Sequence, residues 1–391
     1  MDRRLTIALA VGARPNLPKV APVLAALRGH DGVRALLVHT GQHDSPQLST
    51  KLLQELGIPT PDVQFHASKE PSSARLGSIL GHFERWCRTE SPDAVVVFGD
   101  VDSTVACALG ATRAGIPVVH VEAGLRSFDP TMVEEINRRV TDAISSRLYT
   151  HCDDAVANLR SEGVPQNRIC QVGNVMIDTL QQQLPSCCPP PAVAANCLRP
   201  GTFGLVTLHR PALVDDARRL GRILAALEEL SCDLPLLFPA HPRTAETLRE
   251  LRESTKTGLS ATGVAQSSTL QTSPRLVLCS PLAYRHFLWT MKNARLVITD
   301  SGGVQEETTW LNIPCLTVRE NTERPVTVHK GTNRLVGLDP RQLLAAANEI
   351  LGGQPVARSE PPALWDGRAG QRIADDLLHW LKANDRVRLH A

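Results

Sequence analysis

The sequence predicts an α/β protein of two Rossmann-like, doubly wound domains facing a cleft, and three observations carry this. The 391 residues amount to two domains at roughly 100–200 residues each. Short apolar runs alternate with amphipathic stretches from end to end, the pattern of a parallel sheet wrapped by helices. The alternation breaks once, at the aperiodic, proline-rich LPSCCPPPAVAANCLRPGTF between Leu184 and Phe203, and then restarts. The expected division is a first domain over 1–184, a second over 203–366, and a terminal helix within 367–391 that packs back on the first.

In chain order, the first-domain strands are expected at Thr6 to Gly12, Arg34 to Gly41, Ala94 to Asp100 and Pro117 to Glu122, then at RLYTH and ICQVG. The second-domain strands are expected at Gly204 to His209, Pro235 to His241, RLVLCS, Ala294 to Ser301, PCLTVR and NRLVG. Each is a short apolar run that stops at a polar cluster, as strands buried on both faces do. The Ser/Thr/Gly-rich stretch from Ser254 to Ser273 reads as a surface loop, and Gly367 to Ala383 as an amphipathic helix. The opening MDRR and LTIALAVGA imitate a short secretory signal, but the same residues run on into a polar strand end and are read as the first buried strand.

Composition narrows the function. Lys and Arg (42) nearly balance Asp and Glu (40), and aromatics are 4% of residues, which argues against a nucleic-acid partner and requires any anionic ligand to be held locally. No stretch approaches the roughly 20 apolar residues of a membrane span. The ten cysteines show no C-x-x-C pair, and Cys107, Cys279 and Cys315 sit in apolar runs. They read as reduced thiols of a cytoplasmic protein without a metal site.

Polar residues gather at the strand ends. GARPNLPK follows the first strand and offers Arg14 and Lys19 at a turn and helix start, a phosphate-binding arrangement distinct from the dinucleotide G-x-G-x-x-G pattern. FGDVDST brings Asp100 and Asp102, HVEAGLR brings Glu122 and Arg126, and VEEINRR brings Glu134 and Glu135 into a first helical turn. Carboxylates converging this way suit abstraction and return of a proton at carbon. One of the Glu pair reads as a dipole partner, and Glu135 is expected to point about 100° away from Glu134. In the second half TLHRP offers His209 and Arg210, and PAHPR offers His241 and Arg243. ITDSGGVQEE offers the amides of Ser301, Gly302 and Gly303 to a phosphate, with Glu306 or Glu307 placed for ribose hydroxyls; RENTERP adds Arg319, Glu323 and Arg324. A nucleoside diphosphate site in the second domain is expected to face carboxylates in the first.

Those motifs, with TGQHD, VGNVMIDTL, FPAHPRT and RENTERPVTVHKGTNRLVG, resemble the non-hydrolysing bacterial UDP-N-acetylglucosamine 2-epimerases over about residues 5 to 340. The resemblance implies a glycosyltransferase-B type fold, a homodimer, no nicotinamide cofactor, and reversible conversion of UDP-GlcNAc to UDP-ManNAc. The implied reaction is anti elimination of UDP through 2-acetamidoglucal and re-addition. By motif position Asp100, Glu122 and Glu134 match the family's acids and bases, and His209 the histidine assisting UDP departure; neither face of C2 is assigned to a particular carboxylate. Arg14, Lys19, Phe287, Ser301, Gly302, Gly303, Glu307 and Arg324 match nucleotide-binding positions, and Gln42 a position that helps bind a second, activating UDP-GlcNAc in some members. The chain departs from the family at Val133, where proline is common, at Ser45, where many members have glutamine, at HRPAL in place of HRREN, and at Leu282 in place of a polar residue. A hydrolysing 2-epimerase, an epimerase of a modified UDP-2-acetamido sugar, a glycosyltransferase and a UDP-sugar sensor are the alternatives.

Overall fold

The computed structural model describes residues 4–42, 46–65, 72–240, 244–250, 275–353 and 360–388. The expected loop from Ser254 to Ser273, and His241, Arg243 and Ser45, lie outside them. The chain forms two compact units, Met1–Gln183 with Pro362–Ala391, and Leu184–Pro361.

The first unit is a seven-stranded parallel sheet in the order β3-β2-β1-β4-β5-β6-β7. Its strands are β1 (Leu5–Val11), β2 (Val33–His39), β3 (Val63–Gln64), β4 (Ala94–Phe98), β5 (Val118–Val121), β6 (Arg147–Thr150) and β7 (Ile169–Gln171). The central strand AVVVF is buried at every position, as a strand covered by helices on both faces must be. The helices are α1 (Leu17–Arg28), α2 (Pro46–Glu55), α3 (Ser72–Glu90), α4 (Asp102–Arg113), α5 (Val133–Ile144), α6 (Asp153–Ser161) and α7 (Val175–Gln183). The edge strand β3 carries no alternating or apolar signature in two residues, and sequence reasoning misses it.

The second unit holds six parallel strands in the order β10-β9-β8-β11-β12-β13. They are β8 (Gly204–Thr207), β9 (Leu236–Pro239), β10 (Leu276–Cys279), β11 (Leu296–Thr299), β12 (Cys315–Thr317) and β13 (Asn333–Leu335). Around them lie α8 (Pro191–Ala195), α9 (Pro211–Val214), α10 (Ala217–Leu230), α11 over 244–250, α12 (Tyr284–Asn293), α13 (Gly302–Leu311), α14 (Val326–His329) and α15 (Pro340–Leu351). The proline-rich segment expected as a boundary therefore belongs to this unit, with Pro191 starting a short helix where its missing N–H costs nothing. One face of the sheet buries Val206, Phe238, Leu296 and Ile298 against Leu220, Ile223, Leu227 and Leu343, each such side chain contributing about 1.5–3 kcal/mol of transfer free energy.

The chain ends on α16 (Ala369–Arg388), which returns to the first unit and packs on α1. Its start is capped by Asp178 of α7, which accepts from the amides of Ala369 (3.1 Å) and Gly370 (2.7 Å). Further along, Asp376 takes Arg147 Nε (2.8 Å) and Nη2 (2.5 Å) and the Tyr149 hydroxyl (2.8 Å). Burial works to raise the Asp376 carboxyl, but Arg147 and Tyr149 outweigh it and hold it below the usual carboxylate range. None of the ten cysteines is paired. Among the described residues no helix is long and apolar enough to cross a membrane.

Asp376→Ala strands a buried tyrosine hydroxyl and a largely buried guanidinium, and is expected to destabilise the fold by about 2 kcal/mol. A urea midpoint unchanged from wild type would show that α16 is held without this clamp.

Candidate functional site

Each sheet reverses its strand order once, between β1 and β4 and between β8 and β11. The loops leaving the carboxyl ends of such neighbours diverge, which opens the crevice where doubly wound sheets bind ligands. The candidate residues of each unit collect there.

In the first unit Asn16 ties the two loops together. Its Oδ1 accepts from the amides of Gly12 (3.5 Å) and Ala13 (3.2 Å), and its Nδ2 donates to Phe98 O (2.8 Å). Lys19, in the first turn of α1, is buried and ion-paired with Glu122. The pair passes over Gly99, whose φ is +63° and where a Cβ would lie 2.7 Å from Lys19 Nζ and 3.2 Å from a Glu122 oxygen. A side chain there would press on the pair and take a strained φ, so glycine is favoured. Glu122 itself has φ +72°, a strained setting for a residue with a Cβ that costs on the order of 1–3 kcal/mol. Lys19 and Glu122, expected in separate roles, are thus one unit.

Helix α5 organises the rest. Arg138 holds Asp100 Oδ2 from Nε (3.0 Å) and Nη2 (2.8 Å), and Asn137 donates to Asp100 O (3.0 Å) and Asp102 Oδ1 (3.3 Å). Glu134 lies half-buried in the first turn. Glu135, the next residue around the helix, faces the protein interior. It is buried, accepts from Ser127 N (2.8 Å), Ser127 Oγ (3.0 Å) and Phe128 N (3.3 Å), and pairs with Arg138 Nη1 (2.5 Å). The start of α5 packs on the 127–128 loop, so this carboxylate is structural. Asp142, two turns on, accepts from His120 Nδ1 (2.7 Å) and the Gly124 amide (3.1 Å) and pairs with Arg126 Nη1 (2.8 Å). Burial pushes the Asp142 carboxyl up, but His120 and Arg126 prevail and hold it below the ordinary value. Arg126 is further spent on Glu162, at 2.7 and 2.6 Å.

Arg14 is half-buried in a 3-10 turn, and its Nε is buried without a hydrogen-bond partner among the described residues, a donor that suits an anionic ligand. Gln42 accepts the Ser103 amide (2.8 Å) in the first turn of α4, so its oxygen serves that helix start.

In the second unit the strand pair β8 and β11 delivers His209 and Asp300 side by side. Asp300 is fully buried; Oδ2 accepts from the amides of His209 (2.9 Å) and Arg210 (2.8 Å), and Oδ1 lies 3.0 Å from His209 Nδ1. Burial would raise this carboxyl, yet His209 and the two amides hold it below normal. The imidazole is thereby gripped on one side while its side chain stays 48% exposed.

Three arginines surround two carboxylates beside it. Arg210 reaches Asp300 O (3.0 Å) and Glu323 (3.3 Å), Arg319 reaches Glu323 (2.7 Å), and Arg324 reaches Glu306 (2.8 Å) and Glu323. Burial, opposed by Glu323 and reinforced by Arg210, pushes the Arg319 pKa down. Arg324 lies over Gly302, the first residue of α13, where a Cβ would come within 2.2 Å of its Nη1. The Ser301 side chain does not cap this helix, so the amides of Gly302 and Gly303 and the positive end of the helix dipole lie beside the arginine cluster. Glu307 follows within α13, fully buried, and accepts the Tyr284 hydroxyl (2.8 Å). Burial, countered by Tyr284 and reinforced by Glu306, pushes its carboxyl up to about 7. Phe287 sits half-buried on α12, three residues from Tyr284. Among the described residues no group of His, Cys, Asp and Glu is placed to hold a metal ion.

The family model described as UDP-N-acetylglucosamine 2-epimerase matches residues 25–378. The chain belongs to the UDP-N-acetylglucosamine 2-epimerase family. The UDP-N-acetylglucosamine 2-epimerase of Methanocaldococcus jannaschii is 36% identical over 374 residues, covering 94% of this chain and 98% of that one. The UDP-2,3-diacetamido-2,3-dideoxy-D-glucuronate 2-epimerase of Pseudomonas aeruginosa is 34% identical over 376 residues, covering 95% and 99%. A solved structure of the M. jannaschii epimerase with UDP-GlcNAc and UDP superposes with a TM-score of 0.84 at 35% identity, over 96% of this chain and 100% of that chain.

For this family member, sequence reasoning names the strand-end carboxylates and misses the groups that hold them: Arg138, Asn137, Asp142 and His120 in the first unit, Asp300 and Tyr284 in the second. A signal exists for some. Glu135, Arg138 and Asp142 recur at i, i+3 and i+7 on one helix face, and Asp300 ends an apolar strand just as Asp100 does.

Glu307 supplies a stability prediction. An acid held at about 7 when folded and near 4.3 when unfolded costs stability as pH rises through that interval, on the order of 3 kcal/mol once both states are ionised. Glu307→Gln removes the buried charge, so urea titrations at pH 5 and pH 8 should show the variant gaining on wild type at the higher pH. Parallel curves at both pH values would contradict the buried carboxylate.

Proposed function

We propose that this enzyme interconverts UDP-N-acetylglucosamine and UDP-N-acetylmannosamine by the non-hydrolysing route. A carboxylate at C2 takes the proton, the C1–O bond breaks, and UDP departs with its electron pair, leaving 2-acetamidoglucal. A carboxylic acid on the opposite face then returns a proton to C2 as UDP re-adds at C1. No nicotinamide is needed, because the C2 hydrogen moves as a proton. The observation that carries the reading is the division of labour between the units. Asp100, Glu122 and Glu134 lie in the first, Asp100 held by Arg138 of α5, Glu122 paired with Lys19 of α1, and Glu134 on α5 itself. His209, the glycine-led start of α13 and the arginine cluster lie in the second, and these are donors that suit a diphosphate.

His209 is the group assigned to the leaving diphosphate. Asp300 lies 3.0 Å from its Nδ1 and orients the ring, and a donor beside the β-phosphate stabilises charge that is larger in the transition state than in the bound substrate. Glu307, with one oxygen on Tyr284, is assigned to the ribose hydroxyls, Phe287 to the nucleotide, and Arg14 to the phosphates. Lys19 serves Glu122 first and the ligand second. A homodimer is the assembly that the family resemblance implies, and the cytoplasm is the compartment that its free cysteines suit.

Two relatives of nearly equal identity act on different sugars by their names, so the sugar is settled by offering both. In deuterated water with UDP-GlcNAc, deuterium at C2 with UDP still attached is the expected result. Free UDP with ManNAc would replace this reading with hydrolysis, and turnover of the diacetamido uronate alone would replace the substrate.

Asp100→Asn, Glu122→Gln and Glu134→Gln should each lower kcat by about 100-fold or more; near-normal turnover in all three would sink the assignment. His209→Asn should reduce kcat more than it weakens UDP binding, with C2 exchange and UDP release falling together. Normal exchange at C2 in that variant would separate proton abstraction from UDP departure and remove His209 from this role.

A further inference from the structure

We propose that His120 is a positioning residue that fixes the spacing between Asp100 and Glu122, a role that rests on reading those carboxylates as the groups acting at C2. His120 is fully buried in β5, two residues before Glu122, and both its ring nitrogens are engaged. Nε2 lies 2.8 Å from the carbonyl oxygen of Gly99, the residue immediately before Asp100; Nδ1 lies 2.7 Å from Asp142 Oδ1. A carbonyl and an ionised carboxylate only accept, so both bonds form only when each nitrogen carries a hydrogen. The ring is therefore a strut between the end of β4 and the last turn of α5.

What the strut spans gives it its function. Asp142 also takes the Gly124 amide and Arg126, which follow Glu122, so this one carboxylate grips the strained Glu122 turn from both sides. Through His120 the same grip extends to the Gly99–Asp100 peptide, and Arg138 of the same helix holds the Asp100 side chain. Without the Nε2 bond, the Gly99 carbonyl loses its buried donor, and at a positive-φ glycine the peptide that carries Asp100 loses one of its holds and gains freedom to shift. A shift of this kind in a reacting carboxylate damages catalysis far more than binding of a nucleotide held by the other unit.

Two substitutions separate the ends of the strut. The Gln amide nitrogen reaches the place of Nε2, so His120→Gln keeps a donor for Gly99 and deprives Asp142. The Asn amide nitrogen stays near the place of Nδ1, so His120→Asn keeps Asp142 satisfied and deprives Gly99. We expect His120→Gln to melt lower yet keep kcat within about 5-fold, and His120→Asn to melt higher than the Gln variant while losing about 50-fold in kcat, both with wild-type affinity for UDP. That crossing of stability and turnover is not produced by a merely structural histidine. Turnover that tracks melting temperature in both variants, or an Asn variant with normal kcat, overturns the proposal. Backbone hydrogen exchange over residues 98–102 reads the strut without substrate: faster in the Asn variant than in the Gln variant supports it, and equal rates overturn it. If Asp100→Asn and Glu122→Gln themselves retain turnover, the carboxylate reading fails while the exchange comparison still decides whether His120 fixes Gly99.

Discussion

The constraint on which the molecule depends is the reversal of strand order at the middle of each sheet. Successive crossovers to either side of β1 and of β8 carry the loops apart, and the carboxyl ends of the strands flanking the reversal are the places where a side chain can leave the sheet without meeting a helix. Asp100, His209 and Asp300 occupy such ends, and Glu122 the end of the next strand, β5. Because strand-end positions open only on one side, polar groups placed there are half in the protein, and each needs a partner behind it.

Those partners are charged and buried, which is expensive. Arg138, Arg126, Asp142 and Glu323 are each nearly or wholly withdrawn from water, and a lone buried ion costs several kcal/mol. They are tolerated because none stands alone: each has two or more opposing contacts, and Arg126 grips both oxygens of Glu162. A hydrophobic replacement of the set would serve stability as well. What it could not do is hold carboxylates and an imidazole at fixed places beside an opening, which is the work these networks perform. The strained backbone of Glu122 belongs to the same logic, since an unfavourable φ persists only where the surroundings leave the residue no other choice.

Short apolar runs make twelve of the thirteen strands among the described residues legible from the sequence alone, and polar residues at their ends make the strand-end acids and His209 legible with them. The strand β3 escapes because two half-exposed residues on a sheet edge carry no period. Glu134 and Glu135 are indistinguishable as neighbours in sequence; only the fold of the 127–128 loop over α5 turns one inward. Lys19 reads as a ligand cation because its partner lies 103 positions away, and no local pattern announces a pairing at that distance. The same is true of Arg138 with Asp100 and of Tyr284 with Glu307. Residues that carry charge at strand ends are written in local sequence, whereas those that hold them in place are written in topology.

The return of α16 to the first unit has a consequence for the order in which the protein is assembled. Arg147, Tyr149 and Asp178 wait for acceptors and amides that lie about two hundred positions downstream, at Ala369, Gly370 and Asp376. The whole of the second unit is encoded between them. A ribosome therefore delivers every residue of the second unit before it delivers the piece that completes the first. The first unit starts earliest and closes last, and until its final helix emerges it exposes the flank of α1 and α7 that the helix will cover.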